Sequence, residues 1–197
     1  MPHADSSLVP DSITTKKEFW SHVEFQLKYL LEGQRNWVTN LSNASSLIYN
    51  SLLAFPSHFG PGEKAVNWSG FYLDSQLFPG KPRDPSLPPV LLLGPFNGKP
   101  ACQLIKVKSG KGVCADAYVS RKTLVVPEVD KYPGHIACDG ETKSEIVLPL
   151  LLNRADGEQT ALGVLDLDCL ALEGFDEDDA EGLAKITELV VASCDWD

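Results

Sequence analysis

The hydrophobic period of this chain changes once, near residue 66, and that change limits the fold more than any other feature. Before it, apolar residues recur every three or four positions. In "EFWSHVEFQLKYLLEG" Trp20, Val23, Leu27, Leu30 and Leu31 share one helical face, and Gly33 ends the pattern. A second helix starts near Asn36, carries Trp37, Leu41, Ala44, Ile48, Leu52 and Phe55, and stops at Pro56. After residue 66 the period is two. "VNWSGFYLD" sets Trp68, Gly70 and Tyr72 on one strand face, with Phe71 and Leu73 on the other. "VLLLGPF", "ACQLIKV", "TLVVPEV", residues 145–152 and "ALGVLDLDC" read as further strands, with a short helix near residues 113–120. "FDEDDAEGLAKITELVVAS" is a closing helix whose acids fall in the first turn, where the helix dipole favours them.

That order predicts an α+β fold: a central antiparallel sheet of about six strands with the N- and C-terminal helices on one face. The other face is left for a ligand pocket under loops. Residues 1–13 are expected to form a flexible tail, and residues 14–197 a single domain. With 197 residues, such a domain buries a core without disulfides or a structural metal. The formal charge of −10, with no Lys/Arg cluster, excludes nucleic-acid binding through phosphate contacts. No apolar stretch approaches the ~18 residues of a membrane span, and "MPHADSSLVPDSITT" lacks a signal-peptide core, so a cytoplasmic, membrane-free protein is expected.

Chemistry concentrates in a few places. Asp166 and Asp168 in "GVLDLDC" are two apart, so both carboxylates leave one strand face while Leu165, Leu167 and Cys169 point to the core. A solvated acidic face is the plain explanation. If the strand carrying Glu145 is a neighbour, three carboxylates converge instead, which suits holding an amine or keeping one acid protonated. Trp68 and Tyr72, separated by a small Gly70, make an aromatic notch or simply core packing. Five cysteines is an odd, widely spaced set, which argues against a disulfide framework and leaves a transient catalytic disulfide open. Cys169 reads as core and Cys194 lies near the end of the chain, where fraying is expected. Cys102, Cys114 and Cys138 lie in or beside loops. A zinc site from His135, Cys138, Cys102 and Cys114 is the structural alternative, but these lack the paired spacing of a zinc knuckle, so no metal is expected. No Gly-x-Ser-x-Gly elbow supports a hydrolase.

Five segments, in order, carry a resemblance: "VNWSGFYL", "LGPFNGKPACQLI", "GKGVCADA", "VVPEVDKYPGHIACDGETKSEIVLPL" and "LGVLDLD". Together they resemble the free methionine-(R)-sulfoxide reductases, which are built on a GAF domain. Two departures stand out: the "VKSGKG" hairpin is longer than is usual in the family, and so is the proline-rich "FPGKPRDPSLPP" insertion. The resemblance implies reduction of free methionine-(R)-sulfoxide without a bound cofactor. It matches Cys138 to the attacking cysteine, Cys102 to the resolving cysteine and Cys114 to a third thiol, itself an alternative nucleophile. Glu145, Asp166 and Asp168 match the acidic substrate-binding residues, and Trp68 and Tyr72 the aromatic wall. Thioredoxin or another dithiol would recycle the disulfide. A homodimer is expected through the apolar stripes of the first two helices, Trp20 and Trp37 among them. The alternative is a non-catalytic GAF module that binds or senses a small ligand.

Overall fold

The computed structural model describes residues 5–80, 86–135, 139–154 and 157–196. Helix α1 (Lys16–Leu30) begins with a reciprocal cap: the Thr15 side chain accepts from the Glu18 amide, and the Glu18 carboxylate accepts from the Thr15 amide. Helix α2 (Trp37–Leu53) is capped by Asn36, whose side chain accepts from the Thr39 amide. The chain then forms β1 (Val66–Asp74), β2 (Val90–Gly98), β3 (Leu104–Lys106), α3 (Val113–Ser120), β4 (Leu124–Val126), β5 (Ser144–Asn153), β6 (Gln159–Cys169) and α4 (Glu177–Ala192).

All six strands join one antiparallel sheet in the order β3-β2-β1-β6-β5-β4. Period-two alternation sends the two faces of each strand into different cores. Phe71, Leu73, Ile146, Leu148, Leu165 and Leu167 pack against α1, α2 and α4 in the main core. Trp68, Tyr72, Val147 and Val164 face the opposite way into a smaller core with Val113 and Ala117 of α3. The second face is therefore partly roofed by α3, and the pocket expected there lies between that helix, the loops and the sheet.

Three expectations from the sequence change here. The solvated acidic face is excluded, because Glu145 and Asp166 are only 5% and 6% exposed. Trp20 is unavailable to a partner helix. It is 1% exposed, it packs on Gly182 of α4, and its indole Nε1 donates to buried Asp179 Oδ1 at 2.8 Å. Trp37 is half-buried against Phe78 and Trp196. The chain end is also pinned: Arg35 donates to Asp195 and to the Ala192 and Cys194 carbonyls, while Asn40 Nδ2 reaches the Cys194 sulfur at 3.6 Å. Cys194 is buried in the main core, because these bonds use up the carbonyls that end α4.

Candidate active site

Sheet register assembles the site in rows. Trp68 on β1 lies opposite Asp168 on β6, and Asp168 lies opposite Glu145 on β5. In the next row, Gly70 lies opposite Asp166, and Asp166 opposite Val147. Residues two apart share a face, so one surface carries an aromatic ring, a gap and three carboxyls. The gap matters. A Cβ at Gly70 would meet the Trp68 ring edge and the Phe96 side chain and backbone. Glycine there lets Trp68 lie stacked between Phe96, at 5.4 Å, and Tyr72, at 5.8 Å.

These residues line a cavity of about 430 Å³ closed by α3 and the β2–β3 loop. Trp68, Tyr72, Cys102, Cys114, Glu145, Asp166 and Asp168 all contribute to its wall. The Tyr72 hydroxyl donates to the Cys102 carbonyl at 3.0 Å, so the aromatic wall also fixes the loop that carries Cys102. Cys138 lies outside the described residues. The described residues nearest to it in the chain, His135 and Asp139, both line the cavity.

The electrostatics of this cavity are extreme. Burial first, and then the neighbouring carboxylates, push Glu145, Asp166 and Asp168 well above the usual carboxylate range. Cys114 Sγ sits 3.3 Å from Asp166 Oδ2, to which it donates, and 4.0 Å from Glu145 Oε1. Burial and the Asp166 and Glu145 charges raise its thiol well above the ordinary value, so Cys114 is held as a thiol. His135 Nε2 stands 3.5 Å from Glu145 Oε2, and burial lowers the imidazole below its usual value, favouring the neutral ring. Two buried atoms of the wall residues have no hydrogen-bond partner among the described residues: Trp68 Nε1, a donor, and Asp166 Oδ1, an acceptor. Besides the Cys114 thiol at Oδ2, the Asp166 carboxyl shares a hydrogen bond with the Glu145 carboxyl.

Comparison with known proteins bears directly on this constellation. No family model matches the chain. A free methionine-R-sulfoxide reductase of Saccharomyces cerevisiae is 45% identical over 192 residues, covering 98% of this chain and 94% of the relative. The chain belongs to the free methionine-(R)-sulfoxide reductase family. Its fold agrees: a solved structure described as a GAF domain superposes with a TM-score of 0.79 at 44% identity, covering 99% of this chain and 97% of that one. The free methionine-R-sulfoxide reductase of Neisseria meningitidis, solved in complex with its substrate, superposes at 0.73 with 32% identity and 95% coverage of both chains. The α+β, GAF-like architecture and the oxidoreductase family expected from the sequence motifs both hold.

Several residues that shape this cavity and its loops carried no motif-level signal. Asp139 accepts from Asn67 Nδ2 at 3.2 Å and pairs with Lys99 at 3.3 Å, tying β1 and the β2–β3 loop to the segment after Cys138. Asp116 on α3 accepts from the Gly110 amide at 2.6 Å and from the Tyr132 hydroxyl at 2.9 Å. Burial first, then Asp116, push the Tyr132 phenol up to about 12, so it stays a donor. Gly134, at φ +74°, lies so close to the Gly110 carbonyl that any Cβ would collide with it. Asp116 thus clamps the loop before Cys114 to the segment that leads into Cys138. The contacts span elements distant in sequence, and no spacing rule announces them.

Proposed function

We propose that the protein reduces free L-methionine-(R)-S-oxide to L-methionine by thiol chemistry, with Cys138 as the attacking sulfur. The observation that carries this reading is the convergence of Glu145, Asp166 and Asp168 with thiols in one aromatic-walled cavity. Three carboxyls held above their usual range suit a ligand that brings its own cation and needs a proton donor. A free amino acid has an α-ammonium for the carboxylates, whereas a methionine sulfoxide inside a peptide does not. Trp68 and Tyr72 supply the apolar wall for the S-methyl end, and Trp68 Nε1 and Asp166 Oδ1, unpartnered among the described residues, offer one donor and one acceptor to a zwitterion.

The chemistry needs a thiolate and an acid. The Cys138 thiolate attacks the sulfoxide sulfur while a protonated carboxyl, assigned to Glu145, gives its proton to the oxygen. Sulfur–oxygen cleavage with a second proton releases water and leaves Cys138 bonded to the methionine sulfur as a thiosulfonium. Water then attacks the Cys138 sulfur and breaks the sulfur–sulfur bond, which releases methionine as a thioether and leaves Cys138 as a sulfenic acid and one proton. The Cys102 thiol condenses with it, releasing water and forming a disulfide. A dithiol such as thioredoxin reopens that disulfide by exchange, and its own two thiols are oxidised. The raised, hydrogen-bonded thiol of Cys114 is a poor nucleophile in this state, which favours Cys138 for attack. The aspartates then serve as partners of the ammonium group.

Two further features complete the proposal. A homodimer forms through the outer face of the N-terminal helices, where Phe25, Tyr29 and Val38 are exposed apolar residues. The reducing cytoplasm is the working compartment: the four described cysteines are free thiols, and no helix among the described residues is long and apolar enough to cross a membrane.

A competition between free methionine sulfoxide and its N-acetylated analogue tests the reading. Rejection of the analogue by wild type, and weaker discrimination by Asp168→Asn, is expected. Equal reduction of both compounds by wild type would mean that the acids do not read an amine.

A further inference from the structure

The same wall that holds an ammonium group has the donor set of a transition-metal site. One thiol and two carboxyls, Cys114, Glu145 and Asp166, come from α3, β5 and β6, and one ligand atom of each lies within 4.8 Å of the others. All three are buried. A tetrahedral zinc ion with sulfur at ~2.3 Å and carboxylate oxygen at ~2.1 Å separates those ligands by about 3.6 Å. The observed sulfur-to-oxygen distances of 3.3 Å to Asp166 and 4.0 Å to Glu145 bracket that value. Little movement is needed to close the set around an ion.

A second, independent observation points the same way. Asp166 Oδ1 is buried and meets no amide, amine or hydroxyl donor of a described residue. Among the described residues the Asp166 carboxyl is thus satisfied only by the Cys114 thiol and by a proton held with Glu145, two of the proposed ligands themselves. A buried acceptor without a donor carries a desolvation cost, and a cation removes it. Glu145 is braced from its other oxygen by His135, 3.5 Å away, as carboxylate ligands commonly are by a supporting group.

We propose that Cys114, Glu145 and Asp166 bind zinc, with the fourth position open to the cavity, and that the bound ion excludes the substrate. The ligand chemistry selects the ion. A thiolate excludes magnesium and calcium, which take oxygen ligands only, while the mixed sulfur and oxygen set suits zinc. Zinc has no redox chemistry, so it leaves the thiols reduced. Binding displaces the Cys114 thiol proton, and the proton held between the Glu145 and Asp166 carboxyls, to solvent and forms one zinc–sulfur and two zinc–oxygen bonds; nothing is oxidised. The ion takes two carboxyls of the acidic wall, and its +2 charge replaces the ammonium charge they would pair with. Zinc and free methionine sulfoxide are therefore mutually exclusive ligands, and metal availability gates the enzyme. The inhibitory part of this inference rests on the proposed function; the metal site itself does not.

Cobalt(II) is the probe, added to the fully reduced full-length protein, because thiolate ligation gives it a near-ultraviolet charge-transfer band. Wild type should show the band with saturation at one ion per chain, and zinc should abolish it. Cys102→Ser should keep the band and Cys114→Ser should lose it. Asp166→Asn and Glu145→Gln should each weaken binding by at least the ~10–100-fold that loss of a mere supporting partner costs, with circular dichroism confirming that each variant folds. A wild-type protein without the band overturns the proposal. So does a band that survives Cys114→Ser, since the metal then sits on another thiol. Turnover of free methionine sulfoxide is measured separately without metal. A protein that binds cobalt but reduces nothing keeps the site and loses the functional reading. A protein that reduces the sulfoxide and shows no band does the reverse. If both hold, zinc should raise KM for the sulfoxide without lowering kcat, and a fall in kcat at unchanged KM would contradict mutual exclusion.

Discussion

Glu145 and Asp168 face each other as paired residues of β5 and β6, two carboxyls in register on a wall that also holds Asp166. Like charges directly opposite on a sheet destabilise it, and these are partly desolvated as well. Burial and mutual repulsion raise all three carboxyls, which favours their protonated forms.

That has a consequence for stability against pH. Folded-state values raised above the unfolded ones mean that the native protein binds more protons than the unfolded chain. The associated stability is fully present below the ordinary carboxylate range and is lost as pH rises through the raised values. Glu145→Gln removes one titrating group, so its melting temperature relative to wild type should climb as pH rises from about 4 towards 8. Thermal melts of both proteins across that range check it. A difference that is flat, or that falls with pH, would show that the acids are not held protonated.

The stacking of Trp68 between Phe96 and Tyr72 depends on the missing side chain at Gly70. Gly70→Ala should overpack the wall, at a cost of about 1–3 kcal/mol. It should also displace the Trp68 ring and raise KM for the sulfoxide more than it lowers kcat. Unchanged kinetics in a variant of ordinary stability would show that the ring position is not used in binding.

Asp116 does not line the cavity, yet it holds Gly110 and Tyr132 together. Asp116→Ala should lower kcat with KM nearly unchanged, because a misplaced reacting loop by ~1 Å costs of order 10²-fold. Tyr132→Phe, which removes one of the two links, should show a smaller loss, and Asp116→Asn should recover part of the activity. A purely structural role would instead lower the melting temperature of all three variants and leave their kcat at 25 °C equal to that of wild type.

Much of this was legible in the sequence, and the limits have physical causes. The switch of period near residue 66 gave both helices and every strand of the sheet, because burial on one face writes itself into spacing. Asp166 and Asp168 could be set on one face from their separation alone. Whether that face was wet could not be read, since the roof over it is α3, packed through contacts far apart in the chain. Trp20 shows the same limit: its helical position marked it as apolar, but not as the partner of Asp179 and Gly182. The Asp116 clamp gave no signal at all, being one ordinary acid that meets a backbone amide and a phenol.

The exposed pair Phe25 and Tyr29, with ring centroids 4.9 Å apart on α1, is where a second copy would dock. Light scattering should give twice the 21.5 kDa chain mass at micromolar concentration, and Phe25→Glu should return it to one chain. A single-chain mass for wild type would contradict the dimer.

The most direct test is a single turnover with resolved epimers of free methionine sulfoxide and pre-reduced protein, without a recycling dithiol. Wild type should release methionine from the R epimer only. Cys138→Ser should release none, and Cys102→Ser should release about one methionine per chain and then stall at the sulfenic acid. A methionine burst that survives Cys138→Ser and disappears in Cys114→Ser would contradict the assignment of the attacking sulfur, and release from neither epimer by wild type would contradict the proposed function itself.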